Sequence, residues 1–182
     1  MITRIALALN LVLLPVTAGS LWGSSLARFR GFHLGMSLEQ AVAANTNDFR
    51  GIINRQDLYD PEQGTRRLVF RGMGESVTLS FWNDRLFKIK VDLHLDSTEH
   101  VIAYLDRLVA EHGPYMARRS DASSPERLFY IWSDARTTLR FTRAEQYSLS
   151  YEDRGIQQEI ELDRAAKQRS RTNPTDSPFD RF

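Results

Sequence analysis

The chain has no cysteine, 6 prolines and 10 glycines in 182 residues, and 24 Lys and Arg against 23 Asp and Glu. Each shortage closes off a class of protein. Without Cys there is no disulfide framework, no thiolate nucleophile, no Cys-based zinc site and no lipid-modifiable Cys behind a signal segment. A formal charge of +1 creates no overall field to draw in nucleic acid or an anionic membrane surface. The nucleophile and metal motifs are missing too: there is no G-x-S-x-G, no Ser-x-x-Lys with its companions, no H-E-x-x-H and no phosphate-cradling glycine loop. Gly72-Met73-Gly74 lacks a third glycine and a parallel-sheet context, so it reads as a turn. Glu159 and Glu161 are paired acids in a polar stretch where nothing raises a pKa. No catalytic residue and no cofactor are nominated, and the expectation is a non-catalytic protein.

What is present fits a soluble fold. A composition of 42% hydrophobic and 26% charged residues is ordinary for one compact domain or two small halves. At the amino terminus, Met1 to Arg4 form a short positive region and Ile5 to Leu14 an apolar run broken by Asn10. Small residues then follow around Ala18. This is the pattern of a secretory signal peptide over 1–18. An uncleaved anchor is the alternative, although the strong run of about ten residues is short for roughly 30 Å of hydrocarbon. Either way the expected location is periplasmic or secreted, with inner-membrane anchoring if the segment stays on.

The pattern that organises the rest is a hairpin from Val77 to Asp92. Val77, Leu79 and Phe81 alternate on one face of its first strand and Phe87, Ile89 and Val91 on one face of its second, around a turn at Asn83-Asp84. Sixty residues on stand Thr137, Leu139 and Phe141, then Tyr147, Leu149 and Tyr151. The match runs backwards from Leu68 and Phe70 to Leu128 and Tyr130, and from Ser37 and Glu39 to Ser97 and Glu99. The expected fold is therefore α+β, two αβββ repeats whose antiparallel sheet carries its helices on one face.

In chain order this gives a spacer at 19–31, a first repeat at 32–95, a second at 96–154 and a polar, partly disordered tail at 155–182. Ser37 with Gln40 forms a capping-box pattern before Leu38, Ala41 and Val42. Gly51 to Gly64 reads as a loop with room for a short strand near Leu58, and Met116 to Pro125 as its counterpart. Asp96 or Ser97 caps a second helix whose stripe includes Val101, Leu105, Leu108 and Val109, and Gly113-Pro114 ends it. In the tail, Ile156, Ile160 and Ala165 support a short amphipathic helix.

The segment Leu34-Gly35-Met36-Ser37-Leu38-Glu39-Gln40-Ala41, followed by Leu79-Ser80-Phe81-Trp82-Asn83-Asp84-Arg85-Leu86, resembles the pattern of the BamE/SmpA-type outer-membrane assembly lipoproteins and the fold-related β-lactamase-inhibitor protein. Glu111-His112-Gly113-Pro114 is similar to their helix exit. The likeness covers about Phe32 to Asp153. It implies a secreted binding or assembly module and, in the tandem inhibitor, an exposed sheet face that grips an enzyme. This chain departs from both types in its lack of cysteines: there is none for a lipid anchor, and none to form the pairs of the inhibitor protein.

Two surfaces follow as candidates. The first is the face opposite the apolar alternation, which carries Trp82, Phe129 and Ile131 with Lys88, Lys90 and Arg140 around them. Exposed aromatic and aliphatic groups bordered by cations suit a partner-binding patch for an envelope or secreted protein. The competing reading is that the tail or the loop from Gly51 folds over that face. The second is Asp92, His94 and Asp96, alternating along a strand with His100 a turn into the following helix; as a small-ligand or metal sensor they could hold a divalent ion, and as solvated strand positions they need no ligand. His33 and His112 are read as structural.

Overall fold

The computed structural model describes residues 26–48, 56–61, 63–71, 75–120, 127–144 and 146–172. The expected targeting segment lies outside the described residues, as do residues 51–55 and 62 of the loop from Gly51, whose expected short strand near Leu58 is present at Gln56–Asp60. Among the described residues no helix is long and apolar enough to cross a membrane.

In chain order the first half contains β1 (Arg28–Phe29), β2 (Phe32–His33), α1 (Leu38–Asp48), β3 (Gln56–Asp60), β4 (Thr65–Arg71), β5 (Glu75–Trp82) and β6 (Arg85–Leu93). The second contains α2 (Thr98–His112), β7 (Ala117–Ser120), β8 (Leu128–Ser133), β9 (Thr137–Arg143), β10 (Tyr147–Asp153) and α3 (Arg154–Thr172). The fold is α+β. Strands β1 and β2 pair with each other, and the other eight form one antiparallel sheet in the order β3-β4-β5-β6-β10-β9-β8-β7.

The β5–β6 hairpin fixes the sheet's centre. Asn83 and Asp84 both take positive φ, 47° and 57°, as a two-residue turn matched to strand twist requires; Asn and Asp tolerate that region better than other side-chain-bearing residues. Asp84 Oδ1 then accepts from Leu38 N at 3.0 Å, so the hairpin tip also seats the start of α1. Ser37 and Gln40 close the box reciprocally, Gln40 N donating to Ser37 Oγ at 3.2 Å and Ser37 N to Gln40 Oε1 at 2.9 Å. In α2 the cap is Ser97, which accepts from His100 N at 3.2 Å, and Gly113 ends the helix at φ 80°.

The main core lies on the inner face. Leu68, Val77, Leu79, Ile89, Val91, Leu139, Phe141 and Leu149 are fully buried there under Ala41 of α1 and Val101 and Leu108 of α2. Trp132 joins strand to helix, its indole N–H donating to Gly113 O at 2.8 Å.

Four features differ from the sequence reading. Each of α1 and α2 is followed by four strands: β3 is the short strand allowed for near Leu58, whereas β7 was not expected, and both pair through their backbones at the sheet edges and need little apolar alternation. The stretch read as a spacer supplies Leu26 and Phe29 to the core, with Phe29 against Tyr151 at 5.7 Å between ring centroids. Phe87 is not on the inner face. A bulge opposite Ser80/Phe81 shifts the register so that Leu86 pairs with Phe81 while Phe87 turns outward. The helices do not all share one face either: α3 is 19 residues long, runs beyond Lys167, and seats Ile156 and Ile160 on Trp82 and Phe87 across the sheet.

Candidate functional site

The outer face is set by strand alternation. Residues Thr78 and Ser80 of β5, Lys88 and Lys90 of β6, Ser148 and Ser150 of β10, Arg140 of β9, and Phe129 and Ile131 of β8 project from it. Its two ends are built differently.

At one end stands Trp82, where α3 crosses. The side chain points outward as the alternation required, yet it is only 9% exposed, sealed with Phe87 beneath Ile156 and Ile160. Trp82 is therefore not an available partner anchor, and the folded-over tail is the reading that holds at this end. Asp153 launches the covering helix. It is 2% exposed, and its Oδ1 accepts from Gly155 N at 2.9 Å and Ile156 N at 3.0 Å. Its Oδ2 takes the Arg136 Nε–H at 3.1 Å, so the buried carboxylate is fully engaged. Arg85 bonds Glu159 on the helix and lies 5.6 Å from the Trp82 ring centroid.

At the other end Phe129 and Ile131 are half-buried and belong to neither apolar cluster. The Arg140 guanidinium lies over the Phe129 ring, 5.5 Å from its centroid. Arg140 Nε is buried and has no hydrogen-bond partner among the described residues. Between the two ends, Lys88 pairs with Glu152 at 2.7 Å across the β6–β10 seam, and Lys90 with Asp92 at 2.8 Å along its own strand. These contacts hold the central lysines to the sheet. They also partner the two lysines nominated from sequence, which the linear pattern did not pair.

The histidine cluster does not converge. His94 Nε2 meets Asp96 at 2.9 Å with both side chains largely exposed, while Asp92 is held by Lys90. A shallow cleft of about 450 Å³ beside them is lined by Glu75, Asp92, Leu93, His94 and Gln146, and its Glu75 bonds Arg30. Among the described residues no three His, Asp or Glu side chains could hold a metal together. His33 is exposed. His112, at the last turn of α2, keeps only 5% of its side chain exposed, and burial pushes its pKa below the usual histidine value against the opposing pull of Glu111.

These features define an α+β protein with one eight-stranded antiparallel sheet, closed by two helices on its inner face and capped by a third at one end of its outer face. Neither a protein-family profile nor a curated protein matches the chain. Among solved structures it is similar to a DUF4309 family protein from Bacillus subtilis, at 15% identity over 65% of this chain and 78% of that one, with a TM-score of 0.39. It is also similar to a cysteine-rich secretory protein from Staphylococcus aureus, at 8% identity over 68% of this chain and 44% of that one, with a TM-score of 0.38. Likeness at this level bears on neither fold family nor role.

Proposed function

We propose that the chain is a secreted or periplasmic, non-catalytic binding or envelope-assembly module that holds a protein partner on the uncovered part of its outer sheet face. We further propose that it is a tandem of two related units, each a helix followed by strands, of the BamE/SmpA-like type. Support for the tandem reading is the strand order, in which each half runs from an edge to a common seam at β6–β10, together with the sixty-residue offset of the apolar pattern.

The observation that carries the binding reading is the contrast between Trp82 and the pair Phe129 and Ile131. All three project from the same face, but among the described residues only Trp82 has a buried apolar cover. An aromatic and an aliphatic side chain left half-open beside an arginine make a composition typical of the centre of a protein interface. The working residues are Phe129, Ile131 and Arg140, with Lys88 and Lys90 at the rim.

Retention of envelope proteins by the immobilised full chain tests this. One or two proteins held by the wild type should be lost from Ile131→Asp at an unchanged melting temperature. Retention that ignores Ile131→Asp removes the outer face as the working surface.

A further inference from the structure

We infer that the partner held on the outer face presents an acidic polypeptide surface; this rests on the outer-face reading above. The chain as a whole is almost neutral, 24 cations against 23 anions, but its charges are not spread evenly over the sheet. Between the α3-covered end and the opposite rim, strand register places six cations on the outer face: Arg67, Arg71, Lys88, Lys90, Arg119 and Arg140. Among the described residues the same area holds two carboxylates, Asp92 and Glu152, and both are spent on the central lysines.

The four arginines are the uncompensated charges. None has a carboxylate within ion-pair distance among the described residues. Arg67, Arg71 and Arg119 are exposed, and Arg140 sits over the Phe129 ring with its Nε unpartnered among the described residues. Guanidinium groups recognise carboxylates by paired N–H donors, and free ones on a flat face favour a partner that brings acids to them.

Their spacing sets the size of that partner. Arg67 and Arg71 sit on β4 and Arg119 on β7, six strand intervals apart in the sheet, or roughly 29 Å at the usual interstrand distance. A small carboxylate ligand cannot bridge that span, whereas a protein surface of ordinary interface size can. Between the two arginine groups lie the hydroxyls of Thr78, Ser80, Ser148 and Ser150 and the apolar pair Phe129 and Ile131. An apolar anchor beside the cations fits a folded protein with an acidic rim better than a phosphate polymer, whose backbone has nothing to place on it.

The test measures binding of the full chain to poly-L-glutamate, with poly-L-lysine, duplex DNA and phosphatidylglycerol vesicles as the other probes. Arg67→Glu/Arg71→Glu/Arg119→Glu is compared with wild type, and the neutral Arg→Gln set serves if melting shows the reversed chain to be unfolded. Poly-L-glutamate should bind, lose at least about tenfold in affinity on reversal and weaken steadily with salt, while poly-L-lysine should not bind. Equal binding by wild type and variant overturns the inference. So does tighter binding to DNA or to vesicles through the same arginines, since that makes the partner a phosphate surface. If the envelope protein retained by wild type is lost from Ile131→Asp but kept by the arginine variant, the outer-face reading stands and the acidic partner falls. If both variants keep it, both readings fall.

Discussion

The two apolar clusters sit back to back on one sheet and are held by different means. Among the described residues the inner cluster contains twenty-one buried side chains contributed by strands, α1, α2 and the β1–β2 hairpin, so removing one leaves many neighbours in place. The outer cluster, among the described residues, contains only Trp82, Phe87, Ile156 and Ile160. Burying two isoleucines is worth roughly 1.5–3 kcal/mol each, and exposed ion pairs such as Arg85–Glu159 add about 0–1 kcal/mol. A polar 19-residue helix has little stability of its own. The inner face therefore determines whether the chain folds, and the outer cluster determines only whether α3 stays down.

The largest effect that would sharpen this contrast is at Leu79, which is fully buried at the centre of the inner cluster. Leu79→Ala should lower global stability by about 3 kcal/mol in denaturant unfolding, with exchange of all sheet amides accelerated together. Ile160→Ala should cost about 2 kcal/mol, and most of it locally. Amides of α3 would then exchange roughly 30-fold faster while those of β5 and β6 keep their protection, as expected of a unit that opens by itself. Sheet amides that speed up equally would break the comparison and make the outer cluster part of the global core.

The smallest effect is in pH dependence, because the shifted buried groups all lie on the inner side. Burial holds the His112 pKa down and those of Tyr104 and Tyr151 up. A depressed histidine contributes stability above its unfolded value, which is lost as the pH falls through the folded one. A raised tyrosine contributes stability below its unfolded value, lost as the pH rises through the folded one. Stability should be level between, sagging below about pH 6.5 and above about pH 10. His112→Phe should flatten the acid limb and Tyr151→Phe the alkaline one, with α3 exchange unaffected by either substitution.

What could be read in the sequence was whatever repeats with a short period. Alternation identified Val77, Leu79, Ile89 and Val91 as inner residues and put Lys88, Lys90, Arg140 and Trp82 on the other face. A single bulge defeats that rule, and this is why Phe87 was assigned to the wrong side. β7, the stretch Ala117–Ser120, carries no apolar signal because an edge strand is held by its neighbour's backbone. The cover over Trp82 was legible only as an alternative: Ile156 and Ile160 marked an amphipathic helix in the tail, but two isoleucines in a mostly polar run do not say which surface they seat on. The Lys88–Glu152 pair was invisible for another reason, since it exists only once β6 and β10 lie side by side.

That seam has a kinetic consequence. Every other pairing in the eight-stranded sheet joins strands next to each other in the chain, whereas Leu93 must find Tyr147 and Lys88 must find Glu152 across the whole of α2 and three strands. Closing the long loop costs entropy before its contacts form, so two four-stranded halves assemble ahead of their junction. Until they meet, each half carries one raw edge shaped for the other, and a second copy of the chain offers the same edge. Refolding at high concentration should yield dimers with exchanged halves, and dilution should favour the monomer.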